Sequence, residues 1–193
     1  MTQALSLDPR KTALVMIDLQ HGIVSRAVAP HSGAQVVEKA KVLADALRAQ
    51  GGTVVWVHVL LNELLALPAD NSMHKPGTPP APAIASELVP EIGQQDGDVV
   101  IAKRQWGAFH GTNLEQQLRR RGIDTIVLGG IATNFGVEST ARAAFDQGFK
   151  LVFVEDATSG LNEEMHRFSF EKLFGFMGHV RTTQETIAAM TGA

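Results

Sequence analysis

The chain predicts an α/β fold in three layers, a six-stranded and mainly parallel sheet held between helices. Three observations carry that expectation. Short β-branched runs alternate with amphipathic stretches along the chain. The first such run is apolar nearly throughout, as a strand covered on both faces must be. Glycines then close three of the amphipathic stretches, at Gly51-Gly52, Gly122 and Gly148. Right-handed crossovers between parallel strands place the helices on both faces.

The elements follow in order. Thr12 to Leu19 reads as a buried strand that meets a charge at Asp18. Ser32 can cap a helix from Gly33 to Gln50, with Val36, Val37, Ala40, Val42, Leu43, Ala46 and Leu47 as its apolar side. Thr53 to Leu60 is the second strand and Val99 to Ala102 the third. Thr112 is expected to open a helix through Arg121, with Glu115 completing a capping box. Ile123 to Leu128 is the fourth strand, and a helix from Gly136 to Gln147 follows. Leu151 to Val154 is the fifth strand, Asn162 to Phe174 helical, Val180 to Thr182 a short strand, and Thr183 to Met190 the last helix. One segment breaks the rhythm: Leu61 to Pro82 holds five of the eight prolines. Loops of that length serve as lids, as oligomer contacts, or as plain surface excursions.

Composition narrows the functional classes. With 193 residues, 45% hydrophobic and 19% charged, the chain fits one domain over 1–193 with a sizeable core. A net charge of −3 gives no electrostatic reason to expect nucleic acid or membrane partners. No apolar run approaches the roughly 20 residues that span a bilayer. Met1 to Arg10 lacks the basic and apolar regions of a signal peptide, so a cytoplasmic location is expected. The cysteine count is zero. That excludes disulfides, thiolate metal sites and a cysteine nucleophile together.

In open α/β sheets the ligand crevice lies beyond the carboxyl ends of the strands. Asp18, Lys103 and the turn from Gly130 to Gly136 fall there. A carboxylate after five apolar residues is costly unless paired. Lys103 likewise ends an apolar run, so the two form either a pair tuned for proton transfer or a structural ion pair. The turn GGIATNFG at 129–136 aims backbone N–H groups at an anion, or is a βα turn that needs small residues. No Rossmann fingerprint, phosphate loop or G-x-S-x-G elbow is present. The seven histidines are scattered without metal-ligand spacing, so neither a metal nor another cofactor is expected.

Together ALVMIDLQ at 13–20, AKRQWGAFHGT at 102–112 and GGIATNFGVESTAR at 129–142 resemble the isochorismatase-like superfamily, which also holds nicotinamidases and related cysteine amidohydrolases. The resemblance covers roughly residues 10 to 185. It implies a Rossmann-like, six-stranded sheet, a cis peptide at Ile131–Ala132, and Asp18 and Lys103 as two corners of a catalytic triad. The family's third corner is a cysteine, and Gly136 stands there in this chain. Covalent amide hydrolysis through a thioester is therefore closed to it.

Isochorismatases are similar in being glycine-like at that corner. Their reaction, cleavage of a vinyl ether to pyruvate and a dihydrodiol, needs an acid and a water only. That reading makes Asp18, Lys103 and Gly136 the catalytic positions. Gln20, Arg104, Trp106, Ile131, Ala132, Asn134 and Phe135 then contact an anionic small-molecule substrate, with Arg26 or Lys75 as further cations and Phe109 as a ring wall or core residue. The residues flanking Gly136 are closer to the cysteine-hydrolase pattern. An amide or ester hydrolase using activated water, and a non-catalytic ligand-binding member, therefore stay open. A dimer or tetramer is implied by the resemblance, with the prolines of 61–82 or Phe168, Phe170, Phe174 and Phe176 as its contact.

Overall fold

The computed structural model describes residues 5–65, 67–71 and 77–192. Its strands are β1 (Thr12–Ile17), β2 (Thr53–Val59), β3 (Val99–Lys103), β4 (Thr125–Ile131), β5 (Lys150–Ser159) and β6 (His179–Arg181). Its helices are α1 (His21–Val24), α2 (Gly33–Ala49), α3 (Leu114–Arg120), α4 (Glu138–Asp146), α5 (Glu163–Phe168), α6 (Gly175–Met177) and α7 (Thr183–Thr191). The strands form one sheet in the order β3-β2-β1-β4-β5-β6, and every pairing is parallel. The chain leaves β1 toward one edge and returns to β4 on the other side of β1. That reversal opens a crevice at the carboxyl ends of β1 and β4.

Both faces are covered, as the apolar strands require. On one, Val15, Ile17, Val57, Leu128 and Phe153 pack against Leu114 and Leu118 of α3, Ala141 of α4, and Phe170 and Phe174. On the other, Leu14, Met16, Trp56, Val127 and Val152 pack against Val36, Ala40, Leu43 and Leu47 of α2 and Met190 of α7. Val42, grouped with the apolar side of α2 on sequence grounds, faces solvent instead. The four phenylalanines also divide: Phe170 and Phe174 enter the core, whereas Phe168 and Phe176 are exposed.

Several elements depart from the sequence expectation, among them the helix expected over Asn162–Phe174, which is α5 to Phe168 and a π turn from Ser169 to Phe174. At α3 the capping box does not form: the N-cap is Asn113, and Thr112 Oγ1 donates to Ala108 O at 2.5 Å while accepting from Leu114 N at 3.1 Å. The helix after β4 begins earlier, as a π turn over Thr133–Val137 that runs into α4. β5 runs five residues past Val154, because Glu155 and Asp156 sit in a bulge where the pairing jumps from Leu128↔Phe153 to Gly130↔Thr158. Charges inside a bulge end the apolar pattern without ending the strand. Of the segment 61–82, 3₁₀ turns cover Leu61–Glu63, and the Asn62 amide clamps Ala81 through two bonds of 2.8 Å. Lys75 and Pro76 lie outside the described residues.

Asp98 fixes where β3 begins, and so where Lys103 ends up. Its carboxylate accepts from Arg48 of α2 at 3.0 and 2.6 Å, from Trp56 Nε1 of β2 at 2.7 Å and from Gln95 N at 2.9 Å. Burial pushes its pKa up, but these donors outweigh burial and hold it below the usual carboxylate range. Its stabilising contribution is thus present above the unfolded value and lost as pH falls through the lowered folded one. Asp98→Ala should destabilise the protein by on the order of 3 kcal/mol at pH 7. Urea titrations should show that difference shrinking as the pH drops below about 4.

Candidate active site

The carboxyl end of β1 places Asp18. Its φ of 55° lies in the left-handed region, uncommon for a residue other than glycine and tolerated best by Asp and Asn. The N–H of Asp18 still bonds Val57 O at 2.8 Å, so the turn is anchored while the carboxyl group swings over the sheet edge. Lys103, the last residue of β3, reaches across the end of β2, and its Nζ donates to Asp18 Oδ2 at 2.8 Å. It also donates to Gln105 O at 3.1 Å, leaving one of its three N–H bonds. Both side chains are deeply buried, Lys103 at 2% and Asp18 at 8% exposure. The other carboxyl oxygen, Asp18 Oδ1, is buried with no hydrogen-bond partner among the described residues.

That arrangement decides the protonation of Asp18. Desolvation is the largest influence and raises the pKa; the Lys103 charge and hydrogen bond, and more weakly His58, pull it down. Burial wins, and the pKa rises from 3.8 to about 6. The rise corresponds to about 3 kcal/mol against the ionised form. Near neutrality this group can hold or release a proton.

β4 delivers the third component. Gly130 has φ 115°, and a Cβ there would lie 2.2 Å from Ile17 O, so only glycine lets β4 press this closely on the end of β1. The next peptide, Ile131–Ala132, is cis, as the resemblance implied. The π turn then brings Gly136 beside Asp18. A Cβ on Gly136 would stand 3.4 Å from Asp18 Oδ2, 3.4 Å from Trp106 O and 2.9 Å from Ile17 Cγ2. The corner that the resemblance assigns to a nucleophile thus lies at the carboxyl group, and Gly136 presents backbone only there.

The remaining expected residues separate into groups. The Trp106 ring meets the Phe135 ring edge-on, with 4.9 Å between centroids, and is half exposed. Arg104 is an exposed cation whose Nε bonds Glu63 Oε2 at 2.5 Å. Gln20 is fully buried, and its amide is taken up by backbone: Nε2 donates to Val59 O and Ala85 O, and Oε1 accepts from Val59 N. It fastens the end of β2 to the 3₁₀ turn at Ala83–Ser86. Asn134 Nδ2 contacts Met165 Sδ at 3.2 Å, while its Oδ1 is buried with no hydrogen-bond partner among the described residues. Phe109 belongs to the core. Arg26 is exposed and bonds its own turn, at Gly22 O.

Reasoning on spacing along the chain missed one group. Thr133 Oγ1 lies 2.8 Å from His166 Nδ1, and His166 Nε2 lies 3.1 Å from Glu155 Oε1. These three come from the π turn, the β5 bulge and α5, so no local motif signals them.

The isochorismatase domain profile matches residues 12–185. The chain is 50% identical to the uncharacterized isochorismatase family protein YwoC of Bacillus subtilis (strain 168), over 96% of this chain and 97% of that protein. It is 30% identical to the ureidoacrylate amidohydrolase RutB of Agrobacterium fabrum, over 92% of this chain and 90% of that one. Among solved structures, an isochorismatase family protein from Burkholderia thailandensis superposes with a TM-score of 0.87 at 42% identity, covering 97% of this chain and 99% of the other. With a parallel six-stranded sheet, an acid–lysine pair at its carboxyl edge and a matching profile over nearly its whole length, the chain belongs to the isochorismatase family of hydrolases.

Proposed function

We propose that this hydrolase cleaves a vinyl ether by proton transfer from Asp18, without a covalent intermediate. The observation that carries the reading is the Asp18 Oδ1 oxygen: buried, without a hydrogen-bond partner among the described residues, on a carboxyl group with a pKa of about 6, next to a position with no side chain. Protonated Asp18 gives its proton to the terminal vinyl carbon of an enolpyruvyl ether, leaving an oxocarbenium at the carbon that bears the ether oxygen. Water adds there and returns a proton to the Asp18 carboxylate. The hemiketal then collapses, breaking the ether C–O bond to give pyruvate and an alcohol, a dihydrodiol for an isochorismate-like substrate. With Asp18 neutral, the Lys103 ammonium leaves the site cationic. Its remaining N–H then serves the substrate carboxylate. Trp106 and Phe135 supply apolar area for a ring.

A second reading is amide hydrolysis by activated water, with Asp18 as base and the Ala132 and Gly136 N–H groups at the oxyanion. The similarity to an amidohydrolase favours it. The two differ in product and in pH dependence. For the acid mechanism, pyruvate release from isochorismate, followed through lactate dehydrogenase, should be highest below pH 6 and fall about tenfold per unit well above it. For the base mechanism, ammonia release from an amide panel should instead rise through pH 6 to a plateau. Asp18→Asn should lower pyruvate release at least about 100-fold. Pyruvate release untouched by that change would end the proposal.

Lys103 holds the Asp18 pKa down, so Lys103→Met should move the falling limb to higher pH. A pH–rate profile of the purified variant reads this directly; an unmoved limb would assign the titration to another group. Gly136→Ala forces a methyl group against Ile17 Cγ2. It should lower stability by about 1–2 kcal/mol, visible as a drop of a few degrees in Tm, and reduce turnover with it.

A further inference from the structure

Outside the Asp18 site, the fold gathers two histidines and a glutamate that are remote in sequence. His31 precedes α2, Glu155 lies in the β5 bulge, and His166 is on α5. Glu155 is 124 positions from His31 and 11 from His166, yet its Oε1 is 3.1 Å from the Nε2 of each. All three ligand atoms lie within 4.8 Å of one another. We propose that His31, Glu155 and His166 form a binding site for a divalent transition metal of the zinc class, with water as the fourth ligand.

The donor set fits that ion: two imidazoles and a carboxylate are a common tetrahedral zinc set with an open position. The spacing fits too. Metal–ligand bonds of about 2.0–2.1 Å at tetrahedral angles separate neighbouring ligand atoms by about 3.3 Å, so the two histidine–glutamate separations of 3.1 Å need to open by only a few tenths of an ångström, and the two imidazole nitrogens, within 4.8 Å of each other, settle to that spacing by small side-chain rotations.

The surroundings hold these side chains in place. His166 is 3% exposed, its ring stacked on Phe170 with centroids 4.5 Å apart. Its Nδ1 faces Thr133 Oγ1, so an ion at Nε2 puts the ring proton on Nδ1, where the threonine oxygen accepts it; ligating histidines are usually held by such an outer hydrogen bond. His31 is fixed through its backbone: its N–H donates to Ser159 Oγ at 3.2 Å, and Ser159 Oγ donates to His31 O at 2.6 Å. His31 and Glu155 are partly exposed, which leaves a path for ion and water. Through Thr133, the ion would brace the π turn that carries Gly136.

The rival is a metal-free cluster in which the carboxylate accepts two imidazole N–H bonds. Titrating EDTA-stripped, untagged protein with zinc chloride in a calorimeter separates the two. The site predicts one ion per chain, a rise in Tm on adding zinc, and a visible absorption of tetrahedral character when cobalt(II) chloride replaces zinc. His31→Ala, at a partly exposed position, and Glu155→Gln should each weaken binding at least tenfold. Circular dichroism checks that both variants fold. Absence of stoichiometric binding, or binding that survives both substitutions, would overturn the proposal.

Discussion

Everything in the candidate site depends on one carboxyl group kept short of solvation. Asp18 directly follows a strand whose six residues are all buried, and among the described residues Lys103 satisfies one of its two oxygens while the other has no partner. A fully paired buried carboxylate would sit far below neutrality, and an unpaired one far above it. Half pairing leaves it at about 6, within reach of both protonation states. The ammonium keeps the charge affordable without neutralising the effect of burial.

The topology explains why these two residues meet. β1 lies near the middle of the sheet, where the strand order reverses, so the crevice opens above it. β3 is the edge strand on the far side of β2, and a short side chain at its end would not cross the gap. Lysine has the reach, and its apolar stem can stay buried while the amine arrives at Asp18. Gly130 matters for the opposite reason: the absence of a side chain lets β4 close on Ile17 and bring the turn down onto the same carboxyl group. One long residue and one missing Cβ set the geometry from two directions.

The sequence exposed those parts that violate a local pattern. Asp18 and Lys103 are charges ending apolar runs, and the glycine-rich turn interrupts a strand, so each was readable as an anomaly. The role of Gln20 was not, because its partners Val59 and Ala85 lie 39 and 65 positions away and involve backbone atoms, which no side-chain pattern reports. Glu155 was hidden for a related reason: a bulge of several residues resembles a strand end, so the group it forms with His31 and His166 exists only after β5 pairs past it. Thr112 shows the converse error. A capping motif was present in the letters, but the helix starts one residue later, at the N-cap Asn113, and the Thr112 oxygen takes the Leu114 N–H while its hydroxyl donates to Ala108 O.

Gly136 and the pKa of Asp18 are best understood as one feature. A polar side chain at 136 would begin 3.4 Å from Asp18 Oδ2, close enough to offer that carboxyl group a second partner. A thiol there would engage Asp18 in moving its own proton, and the carboxyl group would serve the sulfur. With glycine in place, position 136 offers Asp18 no side chain to deprotonate, which on the proposed reading leaves its proton for the substrate. The Ile17 methyl group, 2.9 Å from where a Cβ would stand, shows that the surrounding packing has closed onto the glycine and left no space reserved for a larger residue. The core around position 136 is built for a hydrogen atom, so this corner of the sheet edge offers backbone only beside the Asp18–Lys103 pair.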